Sequence, residues 1–261
     1  MSSIAAVPAP AKPARARGTS VLQAIWADPG QPTGEVSTEE VRKILADSSA
    51  IVVDTRKPTE FAAGHLPGAR NLPSRPEDPA AQSVGAVERL VGGRKAAALV
   101  LYCNGPFCKR TRGLSKQLAE AGFSNVRRYQ LGIPVWRALG GPTEIEIDGI
   151  LRVHRIDRTA VFFDARTRAE FSRGSLAGAH NVPADGTPEE LAEASLPEDD
   201  FNSRVVLFGR DCAQARKLAD ALSTTPFHNV LYFPGTYEVL AAAAKSTGLA
   251  RPADHGLVIA R

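Results

Sequence analysis

The sequence predicts a two-domain α/β protein, each domain a parallel β-sheet with helices on both faces. Two observations predict it: the chain repeats itself, and inside each repeat short apolar runs alternate with stretches of helical spacing. Residues 50–73, AIVVDTRKPTEFAAGHLPGARNLP, align without a gap on residues 160–183, AVFFDARTRAEFSRGSLAGAHNVP. At one constant offset Asp54, Arg56, Glu60, Phe61, Gly64, Leu66, Gly68, Ala69, Asn71 and Pro73 recur as Asp164, Arg166, Glu170, Phe171, Gly174, Leu176, Gly178, Ala179, Asn181 and Pro183. Further on, ALVLYCNG is echoed by RVVLFGRD, and AGFSNVRRYQLG by TPFHNVLYFPG, with small deletions in the second copy. A repeat of this length means two domains of one fold.

The elements follow in order. Ser37 and Glu40 form a capping-box pattern ahead of Val41, Ile44 and Leu45, the start of a helix. The runs at 51–53 and 99–102, and again at 161–163 and 205–208, are short and continuous rather than alternating. That pattern suits strands buried on both faces. Residues 110–121 carry Leu114, Leu118 and Ala121 at helical spacing. Strands alternating with helices imply parallel sheets covered on both sides. The segment GGPTEIEIDGI at 140–150 is expected to link the halves. The expected organisation is an arm at 1–18, a catalytic domain at 19–142 and a second domain at 150–250.

Composition bounds the function classes. The chain has 261 residues, 43% of them hydrophobic, enough for one large core or two ordinary ones. No apolar run approaches the roughly 20 residues of a membrane helix, so no membrane partner is expected. Residues 1–18 mix Lys12, Arg15 and Arg17 with Ala and Pro and lack an apolar core. They read as a disordered arm and not an export signal, which favours a cytoplasmic protein. Three cysteines cannot all pair, and so few do not make a disulfide framework. A net charge of +4 and a pI near 9.1 favour anionic partners. No stripe of Lys and Arg with interleaved aromatics appears, so nucleic acid is not expected.

The chemistry concentrates in YCNGPFCKRT at 102–111. This loop joins a predicted strand to a predicted helix, the place where ligands sit in such sheets. Gly105 and Pro106 permit a tight curl of backbone, and the helix that follows adds the positive end of its dipole. Cys103 at the strand's end is then expected to have its pKa pulled down by that field and by Lys109, Arg110 and Arg112, making it a nucleophile. Cys108 either resolves an oxidised or sulfur-loaded Cys103 by forming a disulfide, or lines the loop. Two thiols without a nearby His or further Cys fall short of the four ligands of a structural zinc site, so no metal is expected.

D-x-R…E-F…G-H-L-P-G-A-x-N-L-P in the first copy and its variant D-x-R…E-F…G-S-L-A-G-A-x-N-V-P in the second, each followed by strand, loop and helix, with Cys103 opening the first loop, resemble a tandem rhodanese, a sulfurtransferase. The resemblance covers about 37–240. It implies a cysteine that takes the sulfane sulfur of thiosulfate, or the sulfur of a mercapto acid, as a persulfide and passes it to a thiol or cyanide, with no cofactor. Carried over, Cys103 is the sulfur carrier. The loop residues Asn104, Gly105, Pro106, Phe107, Cys108 and Lys109 hold the persulfide and the departing anion through their amides, and Lys109 and Arg110 attract a small anionic sulfur donor. A thiol or a partner protein accepts the sulfur.

Two features depart from the family. Gly209 stands where Cys103 stands in the first copy, and the loop GRDCAQ is two residues shorter, with Cys212 in its middle. The second domain is therefore read as catalytically silent, supplying a cleft wall through Arg210 or Asp211. Most tandem members carry the active cysteine in the second domain, the reverse of this order. The first loop is also long and has an extra cysteine. Phosphatase relatives close such a loop as Cys-x5-Arg, whereas here Lys109 holds that position with Arg110 one step late. Lysine lacks arginine's planar two-pronged grip on phosphate. Sulfur transfer leads; a Cys-dependent phosphatase or arsenate reductase, or a sulfur-relay or redox-sensing module, are its rivals.

The remaining residues are weighed by the repeat. Asp54, Arg56, Glu60, Gly64 and Gly68 persist in the silent copy and so are expected to be structural. His65, replaced by Ser175, is expected to be an ordinary hydrogen-bonding residue rather than a proton shuttle. Trp136 is expected to pack against the base of the loop. Between 103 and 137 seven basic residues face one acid, Glu120. Lys109, Arg110, Arg112 and Arg137 would form a positive mouth, while Lys116, Arg127 and Arg128 would lie on a solvated helix face.

Overall fold

The computed structural model describes residues 31–73, 83–186 and 200–251. The arm expected at 1–18 lies outside them. The first unit runs β1 (Gly34–Glu35), α1 (Thr38–Asp47), β2 (Ile51–Asp54), α2 (Pro58–Ala62), β3 (Arg70–Asn71), α3 (Val84–Leu90), β4 (Leu99–Tyr102), α4 (Lys109–Glu120), β5 (Val126–Tyr129) and α5 (Gly132–Ala138). The second runs β6 (Thr143–Glu144), α6 (Ile147–Ile156), β7 (Val161–Asp164), α7 (Arg168–Ser172), β8 (Ser175–Leu176), β9 (His180–Asn181), β10 (Val205–Phe208), α8 (Cys212–Leu222), β11 (Val230–Tyr232), α9 (Tyr237–Ser246) and β12 (Ala250–Arg251). The two main sheets have the orders β1-β5-β4-β2-β3 and β6-β11-β10-β7-β9, every neighbouring pair parallel. The repeat in sequence is thus a repeat in topology, and the expected α/β class holds.

Burial on both faces explains the continuous apolar runs. In the first sheet Val52, Val100 and Tyr102 pack with Val41, Ile44, Ile133 and Trp136 on one side. Val53, Leu99 and Leu101 pack with Leu114, Leu118 and Phe123 on the other. Adjacent residues of a strand point to opposite faces, so a strand covered twice favours apolar residues at successive positions. The capping box opens α1 as expected: Ser37 Oγ accepts from the Glu40 amide at 3.2 Å, and the Glu40 carboxylate accepts from the Ser37 amide at 2.7 Å.

The repeated polar residues wire the end of β2. Fully buried Asp54 accepts from the Arg56 amide (2.8 Å), from Arg56 Nε (3.0 Å) and from Arg56 Nη2 (2.6 Å). Arg56 Nη2 also donates to the Gly64 carbonyl at 2.7 Å, and Asn71 Nδ2 donates to the carbonyls of Asp54 and Arg56. Burial disfavours the charged guanidinium of Arg56, yet the bonds and charge of Asp54 hold its pKa above the ordinary value. Asp164, Arg166, Gly174 and Asn181 repeat the same bonds in the second unit. These residues are structural, as their persistence implied.

The units meet through the segment between them. The stretch 140–150 expected as a linker contains β6, an edge strand of the second sheet, and the first turn of α6. A two-residue strand flanked by Gly and Pro leaves no periodic signal, so its pairing is visible only in three dimensions. His65 and Glu144 exchange backbone hydrogen bonds at 2.9 Å in both directions, and the Glu146 amide donates to the Ala62 carbonyl at 3.0 Å. The His65 ring stacks on Phe61, with Nδ1 2.9 Å from the Phe61 carbonyl and Nε2 3.3 Å from the Glu144 carboxylate. Glu144 also accepts from the Gly68 amide and Tyr232 Oη. Burial opposes its ionisation, but the hydrogen bonds from His65 and Gly68 prevail and hold its pKa below the usual carboxylate value. His65 is therefore a hydrogen-bonding residue of the joint between units.

Breaking a buried pair leaves an uncompensated charge. Asp54→Ala and Asp164→Ala are each expected to destabilise their own unit by about 3–5 kcal/mol, measured as a lowered denaturant midpoint. At Gly149 an added Cβ would lie 2.0 Å from the Ala62 carbonyl oxygen. Gly149→Val is accordingly expected to separate α6 from α2 and to lower the Tm, read by calorimetry.

Candidate functional site

The candidate site is the connection from β4 to α4. The backbone ahead of it is fixed: the Tyr102 carbonyl accepts from the Thr55 amide (3.1 Å) and Thr55 Oγ1 (3.0 Å), and the Tyr102 hydroxyl accepts from the Leu66 amide (3.0 Å). Tyr102 is fully buried, and burial, followed by the charge of Asp54, pushes its phenol well above the ordinary value. The hydroxyl therefore stays protonated and neutral. Cys103 comes next, its carbonyl accepting from the Ile133 amide at 3.2 Å. A Cβ on Gly132, where φ is +65°, would lie 2.3 Å from that carbonyl oxygen and 2.6 Å from the Gly105 nitrogen. Only glycine permits α5 to approach the loop this closely. Gly132 escaped the reading of the sequence, although the end of the AGFSNVRRYQLG repeat, matched at Gly235, carried the signal.

Six residues, 103–108, span the gap between β4 and α4. Gly105 takes a φ of +119°, and the Cys108 amide donates to the Gly105 carbonyl at 3.0 Å. The expected cradle of amides from 104 to 109 is thus smaller than the sequence suggested, because the Cys108 amide is used in this turn and Pro106 has none. Cys108 is the extended N-cap residue of α4, with no side-chain capping bond. The loop borders an open pocket of about 400 Å³ lined by Cys103, Asn104, Gly105, Pro106, Phe107, Cys108, Lys109 and Arg110. Phe107 projects from it, 74% exposed.

The sulfurs of Cys103 and Cys108 are joined in a disulfide, with Cα atoms 6.3 Å apart. The thiolate expected on Cys103 therefore belongs to the reduced form of this loop. Cys103 is buried at 2% exposure and Cys108 is half-buried. Cys212 is the free cysteine.

The positive mouth is narrower than expected. Lys109 is exposed and Arg110 is half-buried, its Nη1 3.9 Å from the Glu60 carboxylate. Glu60 also accepts from Asn104 Nδ2 at 2.6 Å. Burial raises its pKa, but the bonds from Asn104 and the Lys57 amide, with the charges of Arg56 and Arg110, leave it below the usual range. With the Gln130 amide oriented so that its oxygen faces them, Arg112 Nε and Arg128 Nη1 both donate to it at 3.1 Å. Arg128 sits on β5, only 2% exposed and paired with Glu35 at 3.2 Å, and Arg127 precedes it on the same strand. Neither lies on a solvated helix face, because both alternate along a strand of the sheet. The half-buried Arg137 side chain lies at the joint beside Gly64; desolvation, with Arg56 and Arg204 nearby, lowers its pKa to about 10. Trp136 packs on Gly141 and donates Nε1–H to the Pro142 carbonyl at 3.0 Å. It anchors the connection between units and belongs to the same core cluster as Tyr102 and Ile133, which hold the base of the loop.

The second unit lacks this cradle. Val205 pairs with Val161 as Leu99 pairs with Ile51, which places Gly209 in the register of Cys103. Three residues, 209–211, span the gap to α8, three fewer than in the first unit and not two, because Cys212 is the first residue of the helix and not the middle of the loop. Arg210 bonds Glu170 at 3.2 and 3.3 Å, and Asp211 caps α8 by accepting from the Gln214 amide at 2.9 Å. Neither lines the cavity over the first loop, so the expected cleft wall is not formed: both side chains are engaged within their own unit. The half-buried Cys212 thiol is pushed up in pKa by burial and by Glu144.

Glu170 is held down to about 2, first by Arg210 and then by Thr167. Because the folded value lies below the unfolded one, this interaction stabilises the protein above about pH 4.3, the unfolded value, and is lost as the pH falls through about 2. The difference in Tm between the wild type and Arg210→Ala is expected to be present at pH 6 and to vanish near pH 2, measured by thermal melts across that range.

A family model described as Rhodanese-like domain matches the chain twice, at residues 37–139 and 151–243. The thiosulfate:glutathione sulfurtransferase of Saccharomyces cerevisiae is 30% identical over 111 residues, covering 40% of this chain and 78% of that protein. Its namesake from Homo sapiens is 34% identical over 114 residues, covering 41% and 94%. The HTH-type transcriptional regulator Rv0324 of Mycobacterium tuberculosis is 29% identical over 115 residues, 44% of this chain and 46% of the regulator, so the chain spans less than half of that relative. With two matched segments, two sheets of identical strand order and a cysteine at the end of the central strand in the first alone, this chain belongs to the rhodanese-like family and carries two such domains in tandem.

Proposed function

We propose that the protein is a sulfurtransferase that moves a sulfane sulfur from thiosulfate or a mercapto acid to a thiol or cyanide through a persulfide on Cys103. The observation that carries this reading is Cys103 itself, at the end of β4 and facing the N-terminus of α4, in one unit and not in the other. The names of the yeast and human relatives, which match about one domain of this chain, support the donor and the thiol acceptor.

The cycle starts from the reduced loop. The Cys103 thiolate attacks the outer sulfur of thiosulfate, the sulfur–sulfur bond of the donor breaks, and sulfite leaves with the electron pair. The open amides at the start of α4, with Lys109 and Arg110, stabilise both the persulfide anion and the departing sulfite. Glu60 offsets part of that charge and holds Asn104 and Arg110 at the rim. An acceptor thiolate then attacks the terminal sulfur and restores the Cys103 thiolate. No metal or organic cofactor takes part in these steps.

Reduced protein incubated with thiosulfate is expected to gain one sulfur atom by intact mass, removable by cyanide as thiocyanate and absent in Cys103→Ser. No gain by the fully reduced wild type would overturn the reading. Gly132→Ala displaces the Cys103 carbonyl and is expected to lower kcat/KM about 100-fold, the effect of a misplacement near 1 Å, in a thiosulfate-to-cyanide assay.

A further inference from the structure

The loop contains a second sulfur that the cycle above does not use. Cys108 closes onto Cys103 while the turn from Cys108 to Gly105 and the contacts of Cys103 with Ile133 and Gly132 are all in place. The backbone that holds the sulfur carrier therefore also brings Cys108 Sγ within bonding reach of it. Cys108 is the N-cap of a 12-residue helix and makes no side-chain cap, so its thiolate would face the unpaired amides of the first turn. The two sulfurs differ in access: Cys103 is buried and Cys108 half-buried. The second unit has neither the six-residue span nor a cysteine in register with Cys103.

We infer that Cys108 is a second catalytic residue, which resolves the Cys103 persulfide to release hydrosulfide. The inference rests on the sulfurtransferase reading and adds a reductive branch to it. The Cys108 thiolate attacks Sγ of Cys103, the bond from that sulfur to the sulfane sulfur breaks, and hydrosulfide leaves with the electron pair. The sulfane sulfur is reduced by two electrons and the two cysteines are oxidised to the disulfide found in the structure. A thiol or protein dithiol then attacks the more accessible Cys108 sulfur, frees the Cys103 thiolate and completes the reduction in a second exchange, leaving as its own disulfide. The acceptor in this branch is a two-electron thiol reductant and not a carrier of the sulfur.

The test uses the full chain with Cys212→Ser as background, reduced, freed of small thiols and kept anaerobic. One equivalent of thiosulfate is added, and sulfide and intact mass are followed together. The parent is expected to release close to one hydrosulfide per chain and to end as the 103–108 disulfide, identified by peptide mapping. The Cys108→Ser variant is expected to take up the same sulfur, to keep it in cyanide-removable form and to release sulfide at least tenfold more slowly. Uptake by the variant also establishes that it is folded. If the parent keeps its persulfide as long as the variant, or releases sulfide without forming the disulfide, the role of Cys108 is overturned while sulfur transfer stands. If neither protein takes up sulfur, both readings fall.

Discussion

A carboxylate and a guanidinium buried together at the end of β2 hold the first unit in the shape its loop requires. Asp54 and Arg56 satisfy each other, and the spare donor of Arg56 reaches the Gly64 carbonyl across the turn after α2. That turn leads into His65 and Leu66; the Leu66 amide bonds the Tyr102 hydroxyl and Thr55 bonds the Tyr102 carbonyl. The residue ahead of Cys103 is thus fixed from two sides by groups that depend on one ion pair. A buried pair of this kind adds little net stability over apolar packing, but once present it must be complete. It contributes position.

The second unit keeps the pair and loses what it served. Phe208 replaces Tyr102, Gly209 replaces Cys103, and Ser175, in the place of His65, donates to Asp164 at 2.7 Å. Glu60 and Glu170 make the contrast plain. Each accepts from the N-cap amide of its short helix, but Glu60 then reaches into the six-residue loop through Asn104 and Arg110, whereas Glu170 is taken up by Arg210. Three fewer residues separate strand and helix, and Arg210 of that connection pairs with Glu170. One scaffold supports a six-residue connection in one unit and a three-residue connection in the other.

His65 shows how the unit that carries Cys103 and the unit that lacks it share a joint. Its backbone continues the edge of the second sheet through Glu144, and its ring bridges Phe61 and the Glu144 carboxylate. The same carboxylate accepts from Gly68 in the first unit and Tyr232 in the second. The second unit therefore buttresses the turn that orders Tyr102, and through it the loop, without contributing a residue to the cavity.

Much of this was legible in one dimension. The gapless repeat identified Asp54 and Arg56 as structural before any contact was known, since both persist where Cys103 does not. Apolar runs and the Ser37 capping box located the central strands and α1 because their causes are local: side-chain period and the unpaired amides of a helix end. The sequence by itself determined the duplicated fold, the loop that carries Cys103 and the unit that lacks that cysteine. Only the tertiary structure decided that Gly132 must be glycine, that β6 begins the second sheet inside an apparent linker, that Arg128 is buried on a strand and Arg137 lies at the joint between units, and that Cys108 reaches Cys103. Each of these depends on the distance between residues far apart in the chain or across a turn, and spacing along a sequence does not carry that quantity.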